Sequence, residues 1–236
     1  MPSTRTALIA AIALTFGIGT ACAQDFNNPP TAALKVSDGV TTLPTILDNG
    51  VGDSNSNTGE IDFSGGLNGW FTNVDTGLSK LIIGSPSDPQ MDLSFNVAYL
   101  LLHSVAGDGT LTLKFSDTGF LPSPTGFTGE LGGTLSGGIG SVTVYDYAGP
   151  SNGLFDTSDL LCTMSFTSSP FGSSCNGTYT GSSPFSLTEV VVITNPNRAV
   201  GQASGDHSLT APEPGTLLLL GGAMAALGFM RRRVGS

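Results

Sequence analysis

Three aspartates lie close enough in the sequence for one loop to gather them around a cation. They occur in the segment YDYAGPSNGLFDTSDLL as Asp146, Asp156 and Asp159. Calcium binds through several carboxylate and carbonyl oxygens, so this spacing makes a calcium site the first hypothesis. The same residues offer a carboxylate pair for glycoside hydrolysis, but that chemistry needs a set separation across a sugar-binding cleft. One Trp and four Tyr residues supply few platforms for such a cleft, so we favour calcium over catalysis and expect no other cofactor.

A second oxygen-rich stretch, DSNSNTGE, places Asp53, Asn55 and Asn57 at alternate positions, as the EF-hand loop does. Its glycine, Gly59, falls one position late, and Ser64 stands where the EF-hand has a bidentate glutamate. No helical pattern flanks the stretch. These departures favour an Asn-rich turn over a calcium loop.

The remaining chemistry-bearing residues form no recognisable catalytic arrangement. His103 and His207 are far apart, and the sequence has no G-x-S-x-G elbow, P-loop or dinucleotide fingerprint. Trp70 and Phe71 are adjacent and would suit a carbohydrate platform, although a Trp in a strand more often packs into a core. The chain is therefore predicted not to be an enzyme.

The body of the chain contains two cysteines, an even number, Cys162 and Cys175. Strand-like runs flank a turn at Pro170 and Gly172, so a hairpin or a wide loop would bring the two sulfurs together. In an oxidising compartment we expect a disulfide. Two buried thiols are the alternative, and zinc is disfavoured because no histidine lies nearby.

The N-terminus has the pattern of an export signal. Arg5 precedes an apolar stretch at residues 7–19, and the small residues Ala21 and Ala23 form an A-x-A cleavage site. The mature chain is predicted to begin at Gln24. Lipidation at the cysteine of this site ranks below ordinary cleavage, because the residue three positions before it is Gly rather than Leu.

The C-terminus reads APEPGTLLLLGGAMAALGFMRRRVGS. Sixteen uncharged residues, 215–230, would form a helix of about 24 Å, short of the roughly 30 Å hydrocarbon core of a bilayer. Arginines that extend to the interface cover this deficit, so one transmembrane helix is predicted. The positive-inside rule then places the arginines in the cytoplasm and the Pro-Glu-Pro tripeptide outside. The flanking residues are Pro212, Glu213 and Pro214 before the run, and Arg231, Arg232 and Arg233 after it.

These three parts, in this order, resemble the PEP-CTERM sorting signal of bacteria that make exopolysaccharide. The resemblance implies that exosortase, a membrane-embedded cysteine transpeptidase, recognises Pro212-Glu213-Pro214 and cuts near it. The arginine cluster at 231–233 would retain the substrate in the membrane until then. The stretches ILDNGVGDSNSNTGEIDF and PFSLTEVVVIT also resemble segments of secreted PEP-CTERM proteins, without implying a ligand. A permanent single-pass anchor is the alternative.

The charge of the body excludes one class of partner. Between Gln24 and Thr210 the chain has 17 acidic residues against four basic ones. Nucleic-acid binding depends on basic surface, so no nucleic-acid partner is expected. Cationic surfaces and divalent cations are the partners that such a charge attracts.

The body of the chain has the patterns of β-strands. Apolar residues alternate with polar ones in TLTLKFSD and SVTVYDY, and FSLTEVVVITN becomes continuously apolar, as in a strand buried on both faces. The segment Met91–Asp117 is predicted to form a long hairpin with its turn at Gly107-Asp108-Gly109. Many short strands separated by glycine turns predict an all-β antiparallel β-sandwich, with a partial barrel or β-solenoid as alternatives.

Together these patterns predict a signal peptide at residues 1–23, an exported β-rich domain at 24–208 and a sorting signal at 209–236. The precursor would be tethered to the inner membrane, and its product would lie at the cell surface or in the extracellular matrix. We expect a structural or adhesive function associated with exopolysaccharide. A carbohydrate- or calcium-binding module is the first alternative, and a matrix glycan hydrolase is the second.

Overall fold

The computed structural model describes residues 31–100, 109–121 and 126–211, and within these ranges the regular elements are all β-strands. In chain order the strands are β1 (Ala33–Ser37), β2 (Ile46–Leu47), β3 (Glu60–Leu67), β4 (Trp70–Leu78), β5 (Gln90–Tyr99), β6 (Thr110–Phe120), β7 (Gly126–Gly137), β8 (Ser141–Gly149), β9 (Asp159–Phe166), β10 (Phe171–Thr178), β11 (Phe185–Thr194) and β12 (Gly201–Thr210).

The strands form two six-stranded sheets. Sheet 1 has the order β2-β1-β6-β11-β8-β9, and sheet 2 has the order β10-β7-β12-β5-β4-β3. Each pairing between these strands is antiparallel. One hydrophobic core, drawn from both sheets, lies between their inner faces. The predicted antiparallel β-sandwich is confirmed, and the strands of the described ranges form neither a barrel nor a solenoid.

The alternation of residues along each strand explains why the two sheets pack. In β5 every second side chain is buried, and the side chains between them are partly or fully exposed. Successive side chains on a strand point to opposite faces, so each such strand presents one apolar face to the core. The buried residues of β5 are Met91, Leu93, Phe95, Val97 and Tyr99.

Strand β11 is the most deeply buried strand, as its continuous apolar run predicted. Its first seven residues, Phe185–Val191, are all buried. The loop between β8 and β9 contacts the neighbouring strand β6, where the Phe155 backbone N–H donates to Ser116 Oγ. That hydroxyl also lies 2.9 Å from the hydroxyl of Thr188 on β11.

The predicted hairpin across Met91–Asp117 is wrong. β5 pairs with β4 and β12 in sheet 2, whereas β6 pairs with β1 and β11 in sheet 1. The chain therefore crosses from one sheet to the other between these two strands. Both strands have an apolar inner face, and two such faces can be buried across the core as well as side by side.

The predicted disulfide between Cys162 and Cys175 is present, with the two Cα atoms 5.8 Å apart. The two strands do not form a hydrogen-bonded hairpin: β9 pairs with β8, and β10 pairs with β7. Since β9 and β10 are edge strands of different sheets, the disulfide links the two layers along one side of the sandwich.

A buried ion pair ties the start of the described chain to the core. Lys80 Nζ lies 2.7 Å from Asp117 Oδ1, and these side chains are 4% and 2% exposed. Lys80 also donates to Thr31 Oγ1, and Ser79 Oγ donates to Asp117 Oδ2. The network satisfies both charges, as burial of an ion pair requires.

The last described strand, β12, lies in the interior of sheet 2 and ends at Thr210, two residues beyond the expected domain boundary. The Ala211 N–H donates to the Pro89 carbonyl. The predicted signal peptide, tripeptide, helix and arginine cluster all lie outside the described residues. In the described part of the chain, no helix has the length and hydropathy that a membrane span requires.

Candidate functional site

The structure does not bring the three aspartates of the predicted calcium site together. Asp146 is fully buried and faces the core, in phase with Val142 and Val144 on β8. Asp156 accepts hydrogen bonds from the hydroxyls of Ser151 and Ser158 in the loop that follows, while Asp159 is exposed at the start of β9. In the described chain, two clusters have the mutual distances of a metal site, and both contain Asp146 without Asp156 or Asp159.

The same hydrogen bonds affect the acidity of Asp156. Hydrogen bonds from Ser151 and Ser158 hold the pKa of Asp156 below its ordinary value. Asp156 therefore acts as the centre of a local turn.

The second oxygen-rich stretch has the geometry of an Asn-rich turn. Asp53 accepts hydrogen bonds from the backbone N–H groups of Asn49, Asn55 and Asp62. The backbone N–H of Asn57 in turn donates to the side-chain oxygen of Asn55 at 2.8 Å. Such side-chain-to-backbone bonds organise turns without an ion.

Trp70 belongs to the core. Its side chain is 3% exposed and packs edge to face against Tyr99, with ring centroids 5.0 Å apart. The neighbouring Phe71 points outward and is 47% exposed. The two adjacent rings therefore face opposite sides of sheet 2 and do not form one carbohydrate platform.

A groove of about 470 Å³ lies on the outer face of sheet 2. We call it the outer groove. It runs over β7, β10 and β12, at one edge of the sheet. Its lining residues are Glu130, Leu131, Gly132, Ser173, Ser174, Asp206 and Ser208.

Glycine shapes the floor of the outer groove. Gly132 of β7 lies opposite Gly172 of β10 and Asp206 of β12 in the strand register. A Cβ atom added at Gly132 would meet no other atom within 4 Å. The absence of side chains here leaves open space between the carboxylates of Glu130 and Asp206.

Hydroxyls and carboxylates alternate across this face. Ser174, Glu130, Ser208 and Asp92 form one row across four neighbouring strands. In the next row, Ser94 Oγ donates to Asp206 Oδ1 at 2.7 Å. Partial burial, and then the negative charge of Asp206, raise the pKa of Asp92 to about 6. The groove thus offers many hydrogen-bond acceptors, several donors and a negative potential.

A second polar cluster lies inside the sandwich, where sequence reasoning did not find it. We call Asp146 of β8, Glu189 of β11 and His207 of β12 the interior cluster. His207 Nε2 lies 3.3 Å from Asp146 Oδ2, and His207 Nδ1 lies 3.1 Å from Glu189 Oε1. All three side chains are fully buried. The available signal was their phase, since each occupies an inward position in a strand whose other inward residues are mostly apolar or glycine.

Burial and the charges of the neighbouring groups have opposing effects on the pKa values of Glu189 and His207. Burial raises the pKa of Glu189 to about 7, with the charge of His207 acting against it. Burial by itself would lower the pKa of His207, but the carboxylates of Glu189 and Asp146 outweigh it and raise that pKa to about 10. The cluster is thus a strongly coupled set of charges in a place of low dielectric constant.

Comparison with protein families gives a match at the end of the chain. The model of the PEP-CTERM protein-sorting motif matches residues 210–233. The match begins at the last residue of β12, so the motif directly adjoins the folded domain. No curated protein sequence matches the chain.

Solved structures with a similar fold include carbohydrate-binding modules. A mannan-recognising module, TmCBM27, is 10% identical over 61% of this chain and 89% of its own, with a TM-score of 0.34. TmCBM61, solved with β-1,4-galactotriose, is 10% identical over 50% of this chain and 71% of its own, with a TM-score of 0.30. A structure of infectious bursal disease virus, Gx strain, is 13% identical over 79% of this chain and 52% of its own, with a TM-score of 0.29. At such identities and TM-scores the likeness carries no inference about ligand or activity.

Proposed function

We propose that this chain, which carries a PEP-CTERM protein-sorting motif, is an exported, non-catalytic surface protein processed by an exosortase-like transpeptidase. The observation that carries the proposal is the motif at residues 210–233, which directly follows the last strand of the β-sandwich. Cutting near Pro212-Glu213-Pro214 would separate the membrane segment from the domain without touching β12. The product is a structural or adhesive protein of the cell surface or the exopolysaccharide matrix.

The test is mass spectrometry of the C-terminal peptide, on protein recovered from the outer surface of the native host. We expect the wild-type chain to end within or beside residues 212–214. Glu213→Ala should leave the chain intact through Ser236 and in the membrane fraction. Glu130→Gln, which changes one exposed carboxylate of the folded domain, is the matched control and should be processed normally. An intact wild-type C-terminus would refute the sorting proposal in favour of a permanent anchor.

The outer groove supports carbohydrate binding as the second candidate function. Its hydroxyls and carboxylates suit hydrogen bonding to sugar hydroxyl groups, and its glycine floor leaves room for a chain of sugars. Glu130 and Asp206 make the groove negative, with Asp92 beside it, so an acidic polysaccharide would be repelled. We therefore assign the groove to a neutral or amino-sugar-containing polysaccharide.

Affinity electrophoresis through gels that contain host exopolysaccharide tests this assignment. Gly132→Phe places a ring in the groove and should weaken retention at least tenfold. Ser64→Phe adds the same ring to an exposed position of β3, at the other edge of sheet 2, and should leave retention unchanged. Equal retention of both variants would show that the groove does not bind the glycan.

A further inference from the structure

The interior cluster brings ligand atoms of three types of side chain together from both layers of the sandwich. Asp146 and Glu189 come from sheet 1, and His207 comes from sheet 2. One carboxylate oxygen from each acid and one ring nitrogen lie within 4.8 Å of one another. None of the three side chains reaches solvent.

These atoms lack the hydrogen bonds that buried polar groups require. Asp146 Oδ1, both carboxylate oxygens of Glu189 and both ring nitrogens of His207 have no hydrogen-bond partner. Cys162 Sγ lies 3.1 Å from Asp146 Oδ2, but a disulfide sulfur carries no proton to donate. Leaving a buried polar group unpaired costs about 1–3 kcal/mol, and more for a charged one. The cluster is therefore incomplete as a set of side chains.

An imidazolium held between two carboxylates does not explain the geometry. The two N–H groups of the ring point in divergent directions, so carboxylate oxygens hydrogen-bonded in line with them would lie about 8 Å apart. Here the acids offer oxygens within 4.8 Å of each other and of a ring nitrogen. These oxygens are too close together to lie in line with both N–H groups of the ring at once.

The neighbouring backbone allows Asp146 to pack closely against it. Gly129 of β7 faces the cluster, and a Cβ atom there would collide with the Asp146 carboxylate. The same Cβ would lie 3.1 Å from Cys162 Sγ. The absence of a side chain at Gly129 thus allows the Asp146 carboxylate to lie beside the disulfide.

We propose that Asp146, Glu189 and His207 bind one divalent transition-metal ion, such as zinc, as a structural site. Two carboxylates and one imidazole form a ligand set that zinc accepts, and a divalent ion cancels the charge of the two acids. The 3.3 Å between His207 Nε2 and Asp146 Oδ2 equals the ligand separation of a tetrahedral zinc site, about 3.3 Å for bonds near 2.0–2.1 Å.

A metal ion here would connect the two layers from within. β8 and β11 are neighbours in sheet 1, β12 lies in sheet 2, and the disulfide links the same layers nearby. Because the site is closed to solvent, the ion would enter during folding and exchange slowly afterwards. This role is independent of the sorting motif and of the outer groove.

The test uses the full-length chain without an affinity tag, since a polyhistidine tag binds metals itself. The protein is unfolded with chelator, refolded with or without zinc, washed with EDTA and analysed by inductively coupled plasma mass spectrometry. We expect about one zinc ion per chain after refolding with zinc, and a Tm several degrees higher than that of the metal-free protein. Refolding with cobalt should give the visible absorption of a tetrahedral protein-bound ion.

Two variants locate the ion. Glu189→Gln and His207→Gln should each lose most of the bound zinc, whereas Asp206→Asn, one residue from His207 but on the outer face, should keep it. If wild-type protein refolded with zinc retains less than a tenth of an ion per chain, the proposal fails. It also fails if the ion remains in both cluster variants, because it then lies elsewhere. The wild-type measurement decides the matter even where a variant does not fold.

Discussion

Asp146, Glu189 and His207 occupy inward positions, which the alternating pattern of their strands otherwise gives to apolar residues or glycine. A charged side chain in such a position must be neutralised or paired. The three side chains lie close together although their strands, β8, β11 and β12, belong to two different sheets. Two glycines of β7 differ in their surroundings: an added Cβ would collide with Asp146 at Gly129 but would meet nothing within 4 Å at Gly132.

Gly129 and Gly132 test this role of glycine on one strand. Gly129→Ala should destabilise the protein by about 1–3 kcal/mol, because its methyl group collides with Asp146 and crowds the disulfide. Gly132→Ala, whose methyl group meets nothing within 4 Å, should change stability by no more than about 0.5 kcal/mol. Urea denaturation of the two variants measures the difference. Equal losses would mean that strand propensity, and not the space beside Asp146, determines the effect.

Asp92 predicts a pH dependence of stability. Its pKa is raised to about 6, so the folded state binds this proton more tightly than the unfolded state does. The resulting stabilisation is present below the ordinary pKa of 3.8 and is lost as the pH rises through about 6. Asp92→Asn should therefore flatten the fall in stability between pH 4 and 7 and stabilise the protein at pH 8. Thermal denaturation across this range measures it, and an unchanged slope would exclude Asp92 as the titrating group.

At the scale of strands, the buried Lys80–Asp117 pair has the hydrogen bonds that the interior cluster lacks. Lys80 and Asp117 pair directly, and Thr31 and Ser79 supply further hydrogen bonds. This network joins the segment before β1 to the end of β4 and to β6. It fixes the residues before β1 to sheet 1.

Removing one partner of that pair should be costly. Asp117→Asn leaves the Lys80 ammonium buried without a counter-charge, for an expected loss of about 3–5 kcal/mol. Asp159→Asn changes an exposed carboxylate at the start of β9 and should alter stability by less than about 0.5 kcal/mol. Chemical denaturation compares them. A small loss for Asp117→Asn would mean that the Lys80 ammonium moves to solvent.

At the scale of the whole molecule, the sandwich and the sorting segment meet at the end of β12. β12 lies between β7 and β5, so its ten residues hold sheet 2 together. The chain continues from Ala211 into the rest of the motif at 210–233. The folded domain should therefore be complete without the residues that follow.

Two truncations test this separation. A chain that ends after Ala211 should fold with the Tm of the full-length protein, because no described contact is lost. A chain that ends after Ser204 lacks half of β12 and should not fold. Circular dichroism and thermal denaturation distinguish them. A marked loss of Tm in the longer truncation would mean that the C-terminal segment stabilises the domain.

The sequence by itself determined the β-sandwich class, the inward face of β6 and β8, the disulfide and the sorting motif. Each of these depends on local order: period two, an even cysteine pair, or a short string of residues. Only the tertiary structure decided that β5 and β6 lie in different sheets, that Asp146 lies beside His207 rather than Asp156, and that glycines open a groove on sheet 2. Alternation specifies which face of a strand is buried, but neither its neighbours nor its sheet. The interior cluster and the outer groove both depend on those long-range pairings.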